Sequence, residues 1–292
     1  MSSSNSALYA FMSGRTMEAA KIYAAQVDAV NEQRVRLHGA QQQGDSWGGL
    51  AASRFRYDPR RALDANLEAI ASFVQSEDVV IDVGGGAGRA CLPLALRCRE
   101  VINVDPSAGM QAEFRECAAD AAIENARFIM ADWLEAEKVQ GDVVITANVT
   151  YFVRDIVGFV SKLEEASHRR VVMNVWSVPP PNQRAPLFRL VYGEDQVDAP
   201  GHQQLLPVLW EMGILPDVHV QSGAYRAGEL PQTREEAVHQ ATQGQWLESK
   251  DQDRARNLIE QHFQELYEPA PEGFRPLWQP EAQELLITWE KR

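Results

Sequence analysis

The sequence predicts an α/β protein: a doubly wound, mostly parallel seven-strand sheet with an N-terminal helical extension and two insertions. Two observations carry that prediction. From residue 79 onward, short apolar runs alternate with segments of helical period, and a glycine-rich turn follows the first run directly. The order of strand, helix, strand implies right-handed parallel crossovers.

Before the sheet, residues 7–42 read as helix, because Tyr23, Val27 and Val30 fall at i, i+4 and i+7 among polar neighbours. The segment DSWGGLAASRFRYDP (45–59) reads as an ordered loop. Asp58 as N-cap with Pro59 at the first helical position then predicts a helix carrying Leu63, Leu67, Ile70 and Val74 on one face. Five runs read as buried parallel strands: VVIDV (79–83), VINVD (101–105), ARFIMAD (126–132), DVVITAN (142–148) and RVVMNVW (170–176). Helical segments at 88–98, about 107–122 and 154–166 separate them. The four prolines of SVPPPNQRAP (177–186) argue against regular structure there. A helix over about 202–212 stops at Gly213, DVHVQS (217–222) supplies a sixth strand, and ELLITWEK (284–291) a seventh. The expected organisation is a cap over 1–58 and a core over 59–292, with insertions at about 177–201 and 229–275.

Composition narrows the function. Across 292 residues, 28 Lys and Arg stand against 41 Asp and Glu, a formal charge of −13. Such a surface repels phosphate backbones and anionic lipid, so neither nucleic acid nor membrane is the expected partner. No apolar run reaches the length of a bilayer span, and the first residues lack the pattern of a secretory signal. Cys91, Cys98 and Cys117 are odd in number and have no metal-site spacing, so no metal is expected. They read as buried thiols of a reducing, cytoplasmic compartment. The expected state is a monomer or homodimer.

The chemistry is concentrated in VVIDVGGGAGRA (79–90). A buried strand ends at Asp82, and Gly84, Gly86 and Gly88 precede a helix, which lets a ligand approach the backbone closely and meet unpaired N–H groups. The dinucleotide fingerprint G-x-G-x-x-G/A is out of phase here, because its third position holds Arg89 or Cys91. The phosphate loop G-x-x-x-x-G-K-[ST] is absent. What remains is an acid before the glycines and a second acid, Asp105, at the end of the next strand. Its oxygens suit the two hydroxyls of a ribose.

This segment resembles motif I of the class I S-adenosylmethionine-dependent methyltransferases, and later segments fall where that family's motifs stand. The resemblance covers about 79–176 and implies the Rossmann-like methyltransferase fold, S-adenosylmethionine as cofactor and S-adenosylhomocysteine as product. Residue by residue, it implies that Asp82, Gly84, Gly85, Gly86 and Gly88 form the methionine-binding turn. Asp105 binds the ribose, with Pro106 and Met110 following it in the same segment. Asp132 receives the adenine amino group, Trp133 covers the ring, and Asn148 and Val149 lie beside the sulfonium. An acid at a strand end is also a common helix N-cap, a reading that suits Asp132 best. Arg89 pairs either with the cofactor carboxylate or with Asp82 or Asp105; Arg54 and Arg56 are alternatives for the carboxylate.

Methyl transfer is an in-line displacement in which the cofactor carries the hard chemistry, and positioning alone supplies ~7–11 kcal/mol of the barrier. A base is needed only where the acceptor must lose a proton. His38, His202, Tyr151 and Tyr192 are the candidates, each weighed against a structural role. His168 reads as a solvated helix cap, and His239 and His262 as surface residues. Trp47, Phe55, Tyr151, Trp176, Phe188 and Tyr192 line an acceptor pocket or pack the cap onto the core, with packing favoured for Trp176. Extension and insertions together suggest a closed pocket, and hence a small-molecule acceptor. Two rivals remain: a non-catalytic methyltransferase-like binding subunit and an NAD(P)-dependent oxidoreductase.

Overall fold

The computed structural model describes residues 17–39, 45, 47, 50–53, 55–221, 230–244 and 246–291. Its helices of five or more residues are α1 (Glu18–His38), α2 (Ala65–Ala71), α3 (Cys91–Ala95), α4 (Ala108–Asp120), α5 (Ile156–Ala166), α6 (Ala185–Tyr192), α7 (His202–Glu211), α8 (Arg234–Ala241) and α9 (Gln252–Gln261). Its strands are β1 (Val79–Val83), β2 (Glu100–Val104), β3 (Ala126–Ile129), β4 (Gly141–Ala147), β5 (Ser167–Trp176), β6 (Asp217–Val220), β7 (Tyr267–Ala270), β8 (Gly273–Pro276) and β9 (Glu284–Glu290).

Seven strands form one sheet in the order β3-β2-β1-β4-β5-β9-β6. The first five run parallel, and β9 is inserted antiparallel between β5 and β6. The order turns between β1 and β4, and open α/β sheets bind ligands outside the carboxyl ends of strands at such a point. Side chains alternate across the sheet and feed two apolar layers. On one face Val80, Val143, Val172 and Leu286 pack against Leu67 of α2 and Leu92 of α3. On the other, Ile81, Val144, Met173 and Ile287 pack against Phe159 of α5 and Leu205 of α7, and Tyr23 of α1 joins the same layer.

Several expectations change. The helix assigned to 7–42 spans Glu18–His38, and residues 7–16 and 40–42 lie outside the described residues. Asp58 does not cap a helix. Its carboxylate accepts the Arg60 N–H at 2.8 Å in a tight turn, while the Arg60 and Arg61 guanidiniums bond the carbonyls of Ala121 and Arg89. The helix begins after Asp64, whose Oδ1 accepts the Leu67 N–H at 2.8 Å. The proline-rich stretch is regular after all: a 3₁₀ turn at Pro180–Arg184 leads into α6, with Pro186 in the first turn, where its missing N–H costs nothing. The second insertion carries a hairpin, β7–β8, besides its helices, anchored by Phe263 stacked on Tyr267 and edge-on to Phe274. His168 belongs to β5 rather than to a helix end, with its ring 3.1 Å from Gln140. All three cysteines are buried and unpaired, and Cys98 lies beyond the end of α3 rather than on it.

Candidate active site

β1 delivers Asp82 to the carboxyl edge of the sheet, and the chain turns at once through Gly84, whose φ is +70°. A Cβ there would lie 2.4 Å from the Val149 side chain, so only glycine lets the loop after β4 close onto the turn. A Cβ on Gly85 would lie 2.4 Å from Asp82 Oδ2 and 2.7 Å from Asn103 Oδ1. Two buried polar side chains, one from β1 and one from β2, thus press against the underside of the turn.

Asp82 is fully buried, and its carboxylate oxygens make no short hydrogen bond; the Cys91 thiol and N–H at the start of α3 are the donors that act on it. Burial pushes its pKa up to about 7. Asn103 Nδ2 donates to the Gly86 carbonyl at 2.9 Å, which leaves its Oδ1 unpartnered. Three under-satisfied acceptor oxygens beneath one glycine turn suit a cationic donor such as an α-ammonium group. The amino end of S-adenosylmethionine has that chemistry, so the residues present fit it.

Asp105 is 9% exposed and clamps the same loop. Its Oδ2 accepts the Gly86 N–H at 3.1 Å and its Oδ1 the Ser107 N–H at 2.9 Å. Burial raises its pKa against these two bonds. An ionised carboxylate offers about four lone-pair sites, so capacity for two ribose hydroxyls remains. Met110 lies against Gly86 and forms a small apolar cluster with Ala52 and Ala87. Asp45 reaches across to accept the Ser107 hydroxyl and the Gly109 N–H, both at 2.8 Å, drawing the N-terminal segment onto the start of α4. Pro106 is exposed beside it.

The residues assigned to the adenine divide. Asp132 is exposed at the rim and uses Oδ1 to accept the Leu134 N–H at 2.8 Å, the capping role that an acid after a strand commonly takes. Trp133 is turned into the apolar core, 5% exposed, with its indole N–H on the Phe159 carbonyl at 3.3 Å. Its ring serves packing in this arrangement.

After β4, Asn148 adopts φ +63°, a left-handed conformation that asparagine tolerates better than most residues. Its N–H donates to the Asn174 carbonyl at 2.9 Å. The Tyr151 hydroxyl donates to Asn148 Oδ1 at 3.1 Å and accepts the Trp176 N–H at 2.6 Å. That hydroxyl is buried and occupied as donor and acceptor, and burial raises its pKa, so Tyr151 fixes the loop and is no proton acceptor. The Tyr23 hydroxyl donates to the Thr150 carbonyl at 2.7 Å and ties α1 to the same loop.

The remaining candidates do not converge. Arg89 lies 3.9 Å from Asp64 and also acts electrostatically on Asp82, whose pKa it lowers. Arg56 is engaged by Glu116 and Asp120 at 2.5 and 2.6 Å, and Arg54 lies outside the described residues. His38 packs edge-on to Tyr192 with ring centroids 5.4 Å apart, and Tyr192 reaches Asp251 at 3.4 Å, so both join α1 to the second insertion. Burial lowers the His38 pKa and raises that of Tyr192 to about 12. His202 opens α7 beside a cleft of about 450 Å³ whose walls include Gln26, Ser177, Asp198 and Trp278 and no residue of the glycine turn. The aromatic residues expected in one pocket fall into separate groups: Trp47 against Phe55, Phe188 against Tyr192, and Tyr151 in the post-β4 loop. Sequence reasoning missed Asn103 and Asn174. For the two asparagines a signal existed, an amide inside an otherwise apolar strand run.

A methyltransferase-domain family model matches residues 80–168. A stretch of 62 residues is 39% identical to the 23S rRNA (uracil(1939)-C(5))-methyltransferase RlmD of Stenotrophomonas maltophilia, covering 21% of this chain and 14% of that one. The chain therefore matches about a seventh of the length of these curated relatives. Among solved structures, a putative methyltransferase from Bacillus halodurans has a TM-score of 0.54 at 13% identity, over 78% of this chain and 97% of that one. Coclaurine N-methyltransferase bound to N-methylheliamine and S-adenosylhomocysteine has a TM-score of 0.50 at 14% identity, over 92% and 88%. At such identities the likeness establishes the fold. The match to an rRNA enzyme corrects the expectation that net charge excludes nucleic acid: a formal charge sums over the whole surface, whereas recognising a base needs only local groups. Among the described residues no helix is long and apolar enough to cross a membrane.

Proposed function

We propose that the chain is a class I S-adenosylmethionine-dependent methyltransferase, a reading supported by the family match over residues 80–168 and by the fold, and that it methylates a compact acceptor seated over the carboxyl edge of β4 and β5. The observation that carries the cofactor half of this reading is the fully buried Asp82 beneath the glycine turn, with only the Cys91 thiol and N–H acting as donors toward it. In the proposed complex Asp82 and Asn103 receive the amino group and Asp105 holds the ribose, with Met110 and Val149 closing the turn from either side. The cofactor, when bound, supplies an electrophilic methyl group. The protein's part is to orient that group, exclude water and position the acceptor. α1 supports a covered acceptor site, because Tyr23 pins it to the loop after β4 and the Gln26 amide bonds the Asp198 carbonyl at 2.8 Å. Three buried unpaired thiols support a reducing, cytosolic setting.

A second reading, favoured by the RlmD match, makes the acceptor a base within RNA. Incubation with methyl-labelled S-adenosylmethionine and either the small-metabolite fraction or the ribosomal RNA of a cell extract separates the two. Label in the metabolite fraction supports the first, and label retained on RNA the second. Calorimetry tests the cofactor site: Asp105→Ala is expected to weaken S-adenosylhomocysteine binding at least tenfold, since hydrogen bonds to charged groups contribute ~1.5–3 kcal/mol each. Unchanged affinity refutes the assignment of the ribose to Asp105.

A further inference from the structure

Resting on the methyl-transfer reading, we propose that the Glu284 carboxylate, held by Asn174 where β5 ends and β9 begins, takes the proton of the acceptor's attacking group. Glu284 stands 202 residues after Asp82 in sequence and opens β9. The antiparallel register sets it opposite Trp176 and sets Leu286 opposite Asn174. Asn174 and Glu284 share the sheet face that bears α2 and α3, since Leu286 and Val172 point there and side chains alternate. Asn174 Nδ2 donates to Glu284 Oε1 at 3.1 Å, while Asn174 itself is 1% exposed.

Three further contacts tie this pair to the proposed site of transfer. The Asn174 carbonyl accepts the N–H of Asn148, the residue placed beside the sulfonium. The Trp176 N–H, opposite Glu284, donates to the Tyr151 hydroxyl that holds Asn148 Oδ1. Glu284 also acts electrostatically on Tyr151 and is itself acted on by Arg89 at the start of α3 and Asp64 at the start of α2. Electrostatics thus couple the carboxylate to the glycine turn's helix, the N-cap of α2 and the post-β4 loop.

Its chemistry suits the role. Burial raises the Glu284 pKa, Asp64 pushes the same way, and Asn174 and Arg89 oppose them. A carboxylate made more basic by its surroundings is a better proton acceptor near neutrality. Asn174 Oδ1 is buried without a partner, so a second acceptor atom stands beside the carboxylate for a donor that the protein does not provide. The acceptor class this implies is a hydroxyl or amine that attacks while still bearing its proton. In the step, the nucleophile's electron pair forms the bond to the methyl carbon and the carbon–sulfur bond breaks with its pair retained on sulfur. The nucleophile's proton passes to Glu284 and from there to solvent. The sum is sulfonium plus X–H giving thioether, X–CH₃ and a proton.

Sinefungin, a cofactor analogue that carries an ammonium-bearing carbon in place of the sulfonium and its methyl, tests this without a known acceptor. Its ammonium projects where the methyl group stands, so a carboxylate facing the acceptor side should recognise it. Calorimetry on the full chain is expected to show Glu284→Gln weakening sinefungin at least tenfold while S-adenosylhomocysteine stays within twofold. Glutamine keeps the oxygen that accepts from Asn174, and retained binding of S-adenosylhomocysteine reports an intact fold. In the unsubstituted protein the preference for sinefungin should grow as rising pH ionises Glu284, and this growth should vanish in the variant. Equal changes for both ligands, or none for either, overturn the role given to Glu284. Failure of the unsubstituted protein to bind S-adenosylhomocysteine strikes the cofactor reading itself, and this one with it.

Discussion

Asp82 makes the sharpest physical prediction, because a fully buried carboxylate whose burial outweighs its bonds to Cys91 links folding, pH and ligand. Its pKa lies at 3.8 in an exposed chain and about 7 in the folded protein. Between those values the folded state holds a proton that the unfolded state has lost. Stability is therefore full below pH ~4 and declines as pH rises through ~7, by about 4 kcal/mol at ~1.4 kcal/mol per unit. A bound ammonium reverses the preference, since it stabilises the carboxylate and lowers that pKa. At pH 6 binding of S-adenosylhomocysteine should thus release close to one proton, and at pH 8 almost none. Affinity should rise roughly tenfold per unit approaching pH 7 and then level off. Calorimetry at pH 6 in two buffers of different ionisation enthalpy reads the proton count directly. Asp82→Asn should abolish the release, weaken binding and raise the melting temperature of the ligand-free protein at pH 8. Proton release equal at pH 6 and pH 8, with affinity flat between them, refutes the placement of an ammonium over Asp82.

Gly88 has φ +89°, and a Cβ there would meet Leu92 at 2.6 Å and Phe114 at 2.8 Å. Gly88→Ala combines backbone strain with overpacking and should cost at least about 2 kcal/mol, read as a shift in the chemical-denaturation midpoint; an unchanged midpoint would show that the turn relaxes freely. Tyr23→Phe removes a buried hydroxyl from the Thr150 carbonyl, which keeps the Val153 N–H as a donor at 3.0 Å. The expected loss is ~0.5–1.5 kcal/mol, with hydrogen exchange accelerated at the amides of residues 149–153. Protection unchanged there would show that α1 does not brace the loop.

The seven strands were readable because β1, β2, β4 and β5 are buried on both faces and so keep nearly continuous apolar runs. Boundaries set by side-chain competition were not. Asp58 and Asp64 are both good N-caps on sequence. Only the Arg60 bond to the Ala121 carbonyl and the Arg61 bond to the Arg89 carbonyl, which hold residues 58–64 in a turn, decide between them. The cofactor side was readable for a related reason. Asp82, Asp105 and the glycines act through backbone geometry, which local sequence largely dictates. Trp133 shows the limit of that logic: its position in the chain suits a ring over adenine, yet the space between β4 and α5 takes the indole inward, and the Phe159 carbonyl satisfies its N–H.

The acceptor side escapes sequence reasoning because no contiguous segment builds it. Tyr23, Asn148, Tyr151, Asn174, Trp176 and Glu284 come from four separate parts of the chain (α1, the post-β4 loop, β5 and β9), and the bonds that tie these parts together join residues up to 127 positions apart. The family match ends at residue 168, before Asn174, Trp176 and Glu284 and without α1. That division has a physical basis. A donor common to many enzymes demands one geometry of turn and acid, while each acceptor demands its own. If the division holds, substitutions within 80–132 should affect donor affinity whatever the acceptor. Changes at Glu284 or Asn174 should leave donor affinity intact and alter which nucleophiles react. Loss of S-adenosylhomocysteine binding in a folded Glu284→Gln protein would show that the two halves are one site, and that the acceptor side was never independent of the donor.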